Sequence, residues 1–195
     1  MKIQGGRRRG FKLQTPPDQS VRPMLARARE AVMDLLATTL PGAAVLDLFA
    51  GTGSLGLEAL SRGATHAVFV ERDPLALRLL AENVERLRFG AQARILASDA
   101  SAPRFPADVS WAFGIVFVDP PYADMRTSEG RRRIAVTLAD LARTGRLAPG
   151  ARVVLHLPGP SPIEEAVPEG FGLLDQRIYG STQIAILDCP RSSPC

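Results

Sequence analysis

The run "FVDPPYAD", Phe117 to Asp124, sets two prolines straight after an apolar stretch that reads as a buried strand. A proline removes a ladder donor, fixes φ and pushes the residue before it toward extended backbone. Asp119 and Pro120 each precede a proline, so both are held extended, with carbonyl groups that no continuing strand or helix claims. This rigid pair of acceptors suits the two hydrogens of an exocyclic amino group, and the ring of Tyr122 offers a face to a planar base, a contact worth ~1–3 kcal/mol. Taken alone, Asp119, Pro120, Pro121 and Tyr122 read equally well as a strand-ending turn with a buried tyrosine.

A second constellation is "DLFAGTGSLG", which contains Gly51-x-Gly53-x-x-Gly56. Glycines let the backbone turn sharply and approach a ligand closely, and a following helix offers free N–H groups. On its own the pattern is a weak signal. Glu71 stands 20 residues after Gly51, where an acidic side chain can accept from both hydroxyls of a ribose. Asp99 ends the next strand, within reach of an adenine if the first two sites hold a nucleoside. NAD and S-adenosylmethionine both present an adenosine to such a surface. Asp47, four residues before Gly51, favours the latter, because a carboxylate suits an ammonium and a sulfonium better than a pyrophosphate.

Periodicity supplies the elements that carry these residues. Lys2 to Thr15, with glycines at 5, 6 and 10, reads as a hairpin with an Arg-rich turn, and a helix starts at Pro23. Then follow "AAVLDLF", a helix from Ser54 to Arg62, "HAVFVE", a helix from Pro74 to Arg88, "ARILAS", "GIVFVD", a helix from Arg131 to Arg143, and "ARVVLHL". "LLDQRIYG" and "TQIAILD" read as an antiparallel pair split at Gly180. Strands separated by helices imply parallel βαβ units with right-handed crossovers. The expected fold is therefore α/β: a Rossmann-like, mostly parallel sheet with a C-terminal antiparallel strand, preceded by a β-hairpin and helix. One domain is expected over residues 1–188, with the hairpin at 1–22, the leading helix at 23–40 and the cofactor-binding core at 41–188. Residues 189–195, which hold both cysteines, read as a disordered tail.

Composition narrows the classes. The chain has 195 residues and a net charge of +4, yet Met1 to Glu30 carries eight basic residues against two acidic ones, leaving the remainder at about −2. A basic block beside a near-neutral domain is the footprint of a polyanion partner, although a solvated face gives the same pattern. Arg7, Arg8, Arg9 and Arg22 are the candidate phosphate contacts. No run approaches the ~18 apolar residues of a membrane span, and Cys189 and Cys195 have neither disulfide-framework nor metal-ligand spacing. A cytoplasmic monomer without a metal is expected. His66, His156 and Trp111 read as structural residues in or beside strands. Ser54 lacks a hydrolase elbow, and Arg131 to Arg133 open a helix where cations gain little.

"VLDLFAGTGSLGLEALSRGA", "FVERD" and "VDPPY" resemble the class I S-adenosylmethionine-dependent amino methyltransferases. More narrowly, "GGRRRGFKLQTP", "RPMLARAREAVMDLL" and "RIYGSTQIAIL" resemble the RsmD-type 16S ribosomal RNA guanine-N2 methyltransferases, over nearly the whole chain. That resemblance implies S-adenosylmethionine as cofactor, with Asp47, Gly51 and Gly53 at its methionine end, Glu71 at the ribose and Asp99 at the adenine. It also implies that Asp119 to Tyr122 hold the target base, with ribosomal RNA or the small ribosomal subunit as partner. One departure stands out. After Arg22-Pro23 many relatives carry Thr-Thr-Asp, where this chain has Met24-Leu25-Ala26. Other readings of the same tetrapeptide are a DNA adenine or protein glutamine methyltransferase. A nicotinamide oxidoreductase would leave it unexplained, and a non-catalytic RNA-binding module would be expected to have lost Asp119 or the glycine pair.

Overall fold

The computed structural model describes residues 1–16 and 26–190. Its seven strands are β1 (Ala44–Leu48), β2 (His66–Glu71), β3 (Ala93–Ala97), β4 (Phe113–Val118), β5 (Leu147–Pro158), β6 (Gly172–Tyr179) and β7 (Thr182–Asp188). They form one sheet in the order β3-β2-β1-β4-β5-β7-β6. The first five are parallel; β7 runs antiparallel to β5, and β6 antiparallel to β7. β7 is thus the one strand that runs against the rest, as expected, and it pairs with β6 across the turn at Gly180. No helix among the described residues is long and apolar enough to cross a membrane.

Strands buried on both faces read as continuous apolar runs, and period-two alternation sends their side chains to two cores. Val45, Phe69, Phe117 and Val154 meet α1 (Ala26–Leu35), α2 (Ser54–Ser61) and α3 (Pro74–Arg86) on one face. Leu46, Val70, Val116 and Leu155 meet α5 (Ser128–Arg143) on the other. Local chemistry fixes the helix starts. The Asp73 side chain accepts from the Ala76 N–H with Pro74 at the first helical position, and the Thr127 hydroxyl accepts from the Gly130 N–H. This second cap starts α5 three residues before the expected Arg131. A single turn, α4 (Tyr122–Met125), follows the prolines directly. Pro23, the expected start of the leading helix, and Arg22 lie outside the described residues.

The N-terminal segment is a hairpin: Lys2 bridges Lys12, and the Ile3 N–H donates to the Phe11 carbonyl at 2.9 Å. It is not an appendage to a sheet already complete, because Ile3 and Leu13 are buried in the α1–α3 core. Gly6, with φ of 73°, lies so close to α2 that a Cβ there would meet the Ser61 carbonyl oxygen at 1.9 Å. Glu58 of α2 is fully buried and accepts from the Gln4 and Gly5 N–H groups, each at 2.7 Å, while pairing with Arg62 at 2.9 Å. At the other terminus Cys189 is buried and its N–H reaches the Ala151 carbonyl, so the expected disordered tail does not begin there.

A buried carboxylate that satisfies two backbone donors is costly to remove, because those donors and the facing guanidinium lose their partner. Glu58→Ala is expected to lower the unfolding free energy by about 3 kcal/mol and to expose residues 1–16 to limited proteolysis before the sheet unfolds. Simultaneous loss of hairpin and sheet would show that Glu58 does not carry the docking.

Candidate active site

Strands β1 and β4 are neighbours at the point where the sheet order reverses. Their ladder ends with the Asp119 N–H reaching the Leu48 carbonyl at 3.4 Å. Beyond that bond the two chains part: β1 leaves through Phe49, left-handed with φ of 60°, and β4 stops at Pro120 and Pro121. Open α/β sheets bind ligands in the crevice outside the carboxyl ends of strands at such a switch point.

The glycine loop fills one wall. Gly53 caps α2 with φ of 84°, a left-handed backbone that favours glycine, and a Cβ there would also crowd the end of the Leu80 side chain. Above Gly51 the position of a Cβ has nothing within 4 Å, which leaves its backbone open to close approach. Asp47 lies beneath the loop, 1% exposed, with Oδ2 accepting from the Gly56 N–H at 2.9 Å. Burial raises its carboxyl well above the ordinary range; the Gly56 bond opposes this, and the charges of Asp119 and Glu71 add to it. Asp47 therefore shapes the loop from below. The expectation that it meets a ligand's ammonium directly is corrected by this burial.

Glu71 is placed at the loop: Oε2 accepts from the Gly51 N–H at 2.7 Å, and Oε1 accepts from the Arg72 and Asp73 N–H groups at 2.7 and 2.9 Å. A carboxylate offers about four lone-pair sites, so one remains for a ribose hydroxyl; accepting from both requires release of a backbone bond. Asp99 follows β3. Its Oδ1 accepts from the Ser101 N–H and hydroxyl, bonds that hold its carboxyl below the ordinary range, and its Oδ2 lies 3.9 Å from Arg72. Carboxylates at Glu71, Asp99 and Asp119 around an open glycine backbone fit a cofactor that brings cationic charge and hydroxyls. They oppose a diphosphate. S-adenosylmethionine has the first character and NAD the second.

The opposite wall is the Asp119–Tyr122 run, whose Asp119 and Pro120 carbonyls receive no hydrogen bond among the described residues. Its bracing was not expected. His156 Nδ1 bonds Asp119 Oδ1, the Tyr122 hydroxyl lies 3.0 Å from His156 Nε2, and Thr182 Oγ1 lies 2.9 Å from the same hydroxyl. The His156 side chain is 2% exposed and that of Asp119 26%, so the network connects the core to the crevice. With Asp119 ionised, Nδ1–H donates to the carboxylate; neutral Nε2 then accepts from Tyr122, which accepts from Thr182. A doubly protonated imidazole satisfies the same contacts with the last two bonds reversed. His156, read from sequence as structural, is thus a direct partner of two candidate residues. The signal was one polar residue inside the apolar strand "VVLHL"; the β4–β5 register that sets Val118 beside Leu155, and so Asp119 near His156, is invisible in sequence.

The arginines do not join this site. The Arg8 N–H donates to the Ser61 hydroxyl at the end of α2, Arg8 Nε donates to the Leu87 carbonyl, and Arg7 bonds Gln92 just before β3. These contacts lie at the edge where β2 and β3 begin, whereas the crevice lies where they end. The six residues of β2 set the two edges about 17–20 Å apart.

The family described as "Conserved hypothetical protein 95" matches residues 1–188. Ribosomal RNA small subunit methyltransferase D of Escherichia coli K12 is 42% identical over 122 residues, a stretch making up 63% of this chain and 60% of that protein. The solved structure of Escherichia coli yhhF covers 98% of this chain and 99% of its own, at 30% identity and a TM-score of 0.76. An RNA methyltransferase from Salinibacter ruber, in complex with S-adenosyl-L-homocysteine, covers 88% of this chain and 96% of its own at a TM-score of 0.59; at 17% identity it shares the fold.

Asp47→Asn retains an oxygen for the Gly56 N–H and removes the titration. A raised folded-state value means the folded protein binds the proton more tightly than the unfolded chain, so wild-type stability falls as pH climbs from about 4 toward the raised value. Thermal melts from pH 4 to 8 are expected to show the variant gaining on the wild type over that interval. A pH-independent difference would mean that Asp47 is not the titrating group.

Proposed function

The chain belongs to the family described as "Conserved hypothetical protein 95", and from that membership we propose that it transfers a methyl group from S-adenosylmethionine to the exocyclic N2 amino group of a guanine in 16S ribosomal RNA. The observation that carries the reading is the braced Asp119-Pro120-Pro121-Tyr122 strand end, facing an acidic, glycine-lined loop across the β1–β4 crevice. The name of the Escherichia coli relative supports ribosomal RNA as the acceptor over DNA or protein.

Bound S-adenosylmethionine supplies a methyl group already activated by its sulfonium. The guanine nitrogen is a poor nucleophile because its lone pair is delocalised into the ring, so the protein's part is alignment and electron density. Orientation supplies up to ~7–11 kcal/mol of such a barrier. The extended Asp119 and Pro120 carbonyls, with the Asp119 carboxylate, accept from the amino hydrogens and draw density back onto nitrogen. Methyl transfer to the nitrogen would make an amino proton acidic, and the Asp119 carboxylate, braced by His156 and open to the crevice, would take that proton and release it to solvent. Tyr122 is tied inward at its hydroxyl by His156 and Thr182, which fixes the plane of the ring offered to the base. The base must leave its stack, at a few kcal/mol, least in a loop.

S-adenosylhomocysteine is expected to raise the Tm of the protein and NAD to leave it unchanged, since a ligand stabilises only the fold that binds it; saturable NAD binding with none for S-adenosylmethionine would overturn the cofactor. Methyl mapping of small-subunit RNA from cells lacking the protein identifies the acceptor. Restoration by Asp119→Ala as efficient as by the parent would remove Asp119 from the reaction. His156→Ala is expected to lower kcat about tenfold, the rate equivalent of one hydrogen bond, with cofactor Kd unchanged and an altered pH–rate profile. His156→Asn, which can still donate to Asp119, should recover part of kcat. If both variants lose activity only in proportion to lost folded protein, His156 is structural.

A further inference from the structure

A cleft of about 390 Å³ opens at the edge of the sheet opposite the crevice, lined by Arg7, Arg8, Arg9, Phe11, Arg86 and Arg88. The hairpin supplies four of these residues, and the C-terminal end of α3 the other two. Among the described residues none of the five guanidiniums pairs with a carboxylate, although eleven arginine–carboxylate pairs form elsewhere. Their contacts are aromatic or to neutral oxygens. Arg7 and Arg8 lie over the Phe89 ring at 4.8 and 5.8 Å, Arg86 lies over Phe11 at 5.5 Å, and Arg8 Nε donates to the Leu87 carbonyl at 2.8 Å. Each guanidinium carries five N–H donors in a planar fork, so stacking and a single bond orient the fork and leave most donors unused. Repelling charges gathered without counter-charge await an external anion.

Arg88 adds an independent sign. It occupies the position after the cap of α3: its N–H reaches the Glu85 carbonyl, the Phe89 N–H reaches the Val84 carbonyl, and φ is 59°. Glycine is the residue of choice in this helix ending. An arginine held there in left-handed backbone is strained, and its exposed side chain forms no hydrogen bond or ion pair among the described residues that would account for it.

We infer that this cleft is a second RNA-contact site, in which Arg86 and Arg88 extend the hairpin arginines into a dock for the phosphates of a stretch of RNA remote from the methylated base. The inference rests on the RNA-substrate reading above and deepens it. Guanidiniums match phosphate geometry bidentately and release condensed counterions when they replace them. The sheet separates the dock from the crevice by about 17–20 Å, or about six nucleotides at ~3.4 Å per stacked nucleotide. The target base and the docked phosphates therefore belong to different parts of one folded RNA.

The test uses the full chain and a fluorescent RNA duplex of about 20 base pairs, titrated by anisotropy from about 50 to 200 mM salt. Arg86→Ala/Arg88→Ala is expected to weaken binding about tenfold at the lowest salt and to flatten the logarithmic salt slope by about 1.4 to 1.8. Arg88→Gly is the sharper variant. It should flatten the slope by about 0.7 to 0.9 while its Tm equals or exceeds that of the wild type, because glycine relieves the strain. Unchanged affinity and slope in both variants would overturn the dock, as would binding of poly-glutamate of equal charge as tightly as the duplex. Methyl transfer is read separately: intact RNA binding through the cleft with no methylated guanine overturns the functional reading and leaves the dock. Intact methylation with variants that bind like the parent does the reverse.

Discussion

The parting of β1 and β4 is the constraint on which the rest of the structure depends. These strands share a ladder up to the Asp119–Leu48 bond and then must separate, because their following helices pack on opposite faces of the sheet. Each chain separates by a different device. Phe49 turns into left-handed backbone and the glycines complete the turn into α2; on β4 the two prolines deny any further ladder donor. The crevice is the geometrical residue of that separation. Its two walls, one of open glycine backbone and one of unclaimed carbonyls, are rigid because each is an end of a buried strand. A loop of equal length anchored on the surface would not hold them in register.

Charge is divided between the two ends of the sheet. The carboxylates of Glu71, Asp99 and Asp119 gather where parallel strands end, and Asp47 lies buried beneath them. The arginines that pair with no carboxylate among the described residues gather where β2 and β3 begin. With about 17–20 Å between the edges and a Debye length of ≈ 8 Å at physiological salt, neither end perturbs the other much. One small domain can thereby present an acidic surface to a cationic cofactor and a basic surface to a polyanion without self-neutralisation. The hairpin makes this possible. It carries the arginines yet is fastened by Ile3, Leu13 and Glu58, so its charges are fixed in position.

What the sequence made legible was whatever depends on local chemistry. The alternation of strands and helices, the Asp73–Pro74 start of α3, the hairpin and the strand-end positions of Gly51, Glu71, Asp99 and Asp119 all follow from periodicity, caps and turn residues within a few positions of each other. What escaped depends on register or on accounting. His156 reaches Asp119 and Tyr122 because β4 and β5 pair as they do, and Thr182 joins them because β7 pairs with β5 opposite Pro158. The valence of Glu71 is largely used by backbone donors that no composition reveals. Arg86 and Arg88 read in sequence as ordinary solvent-facing helix residues, and neither the left-handed turn at Arg88 nor the hairpin folded against them from more than seventy positions earlier is visible there.

Strain distinguishes the two ends in a final way. Phe49 and Arg88 are the two non-glycine residues with positive φ among the described residues. A left-handed L-residue costs about 1–2 kcal/mol, so each needs a compensating gain. For Phe49 the gain lies inside the fold: its ring packs against the α5-side core, so glycine would exchange strain for a lost contact beside the crevice. For Arg88 the backbone gain is the helix ending, which glycine would make equally well, while its side chain is exposed and without a hydrogen bond or ion pair among the described residues. Sequences depart from local optimum mainly at functional positions. The unrecovered cost at Arg88 therefore points outward, to a partner that contacts the guanidinium, and the four other arginines around the same cleft set the sign of that partner's charge.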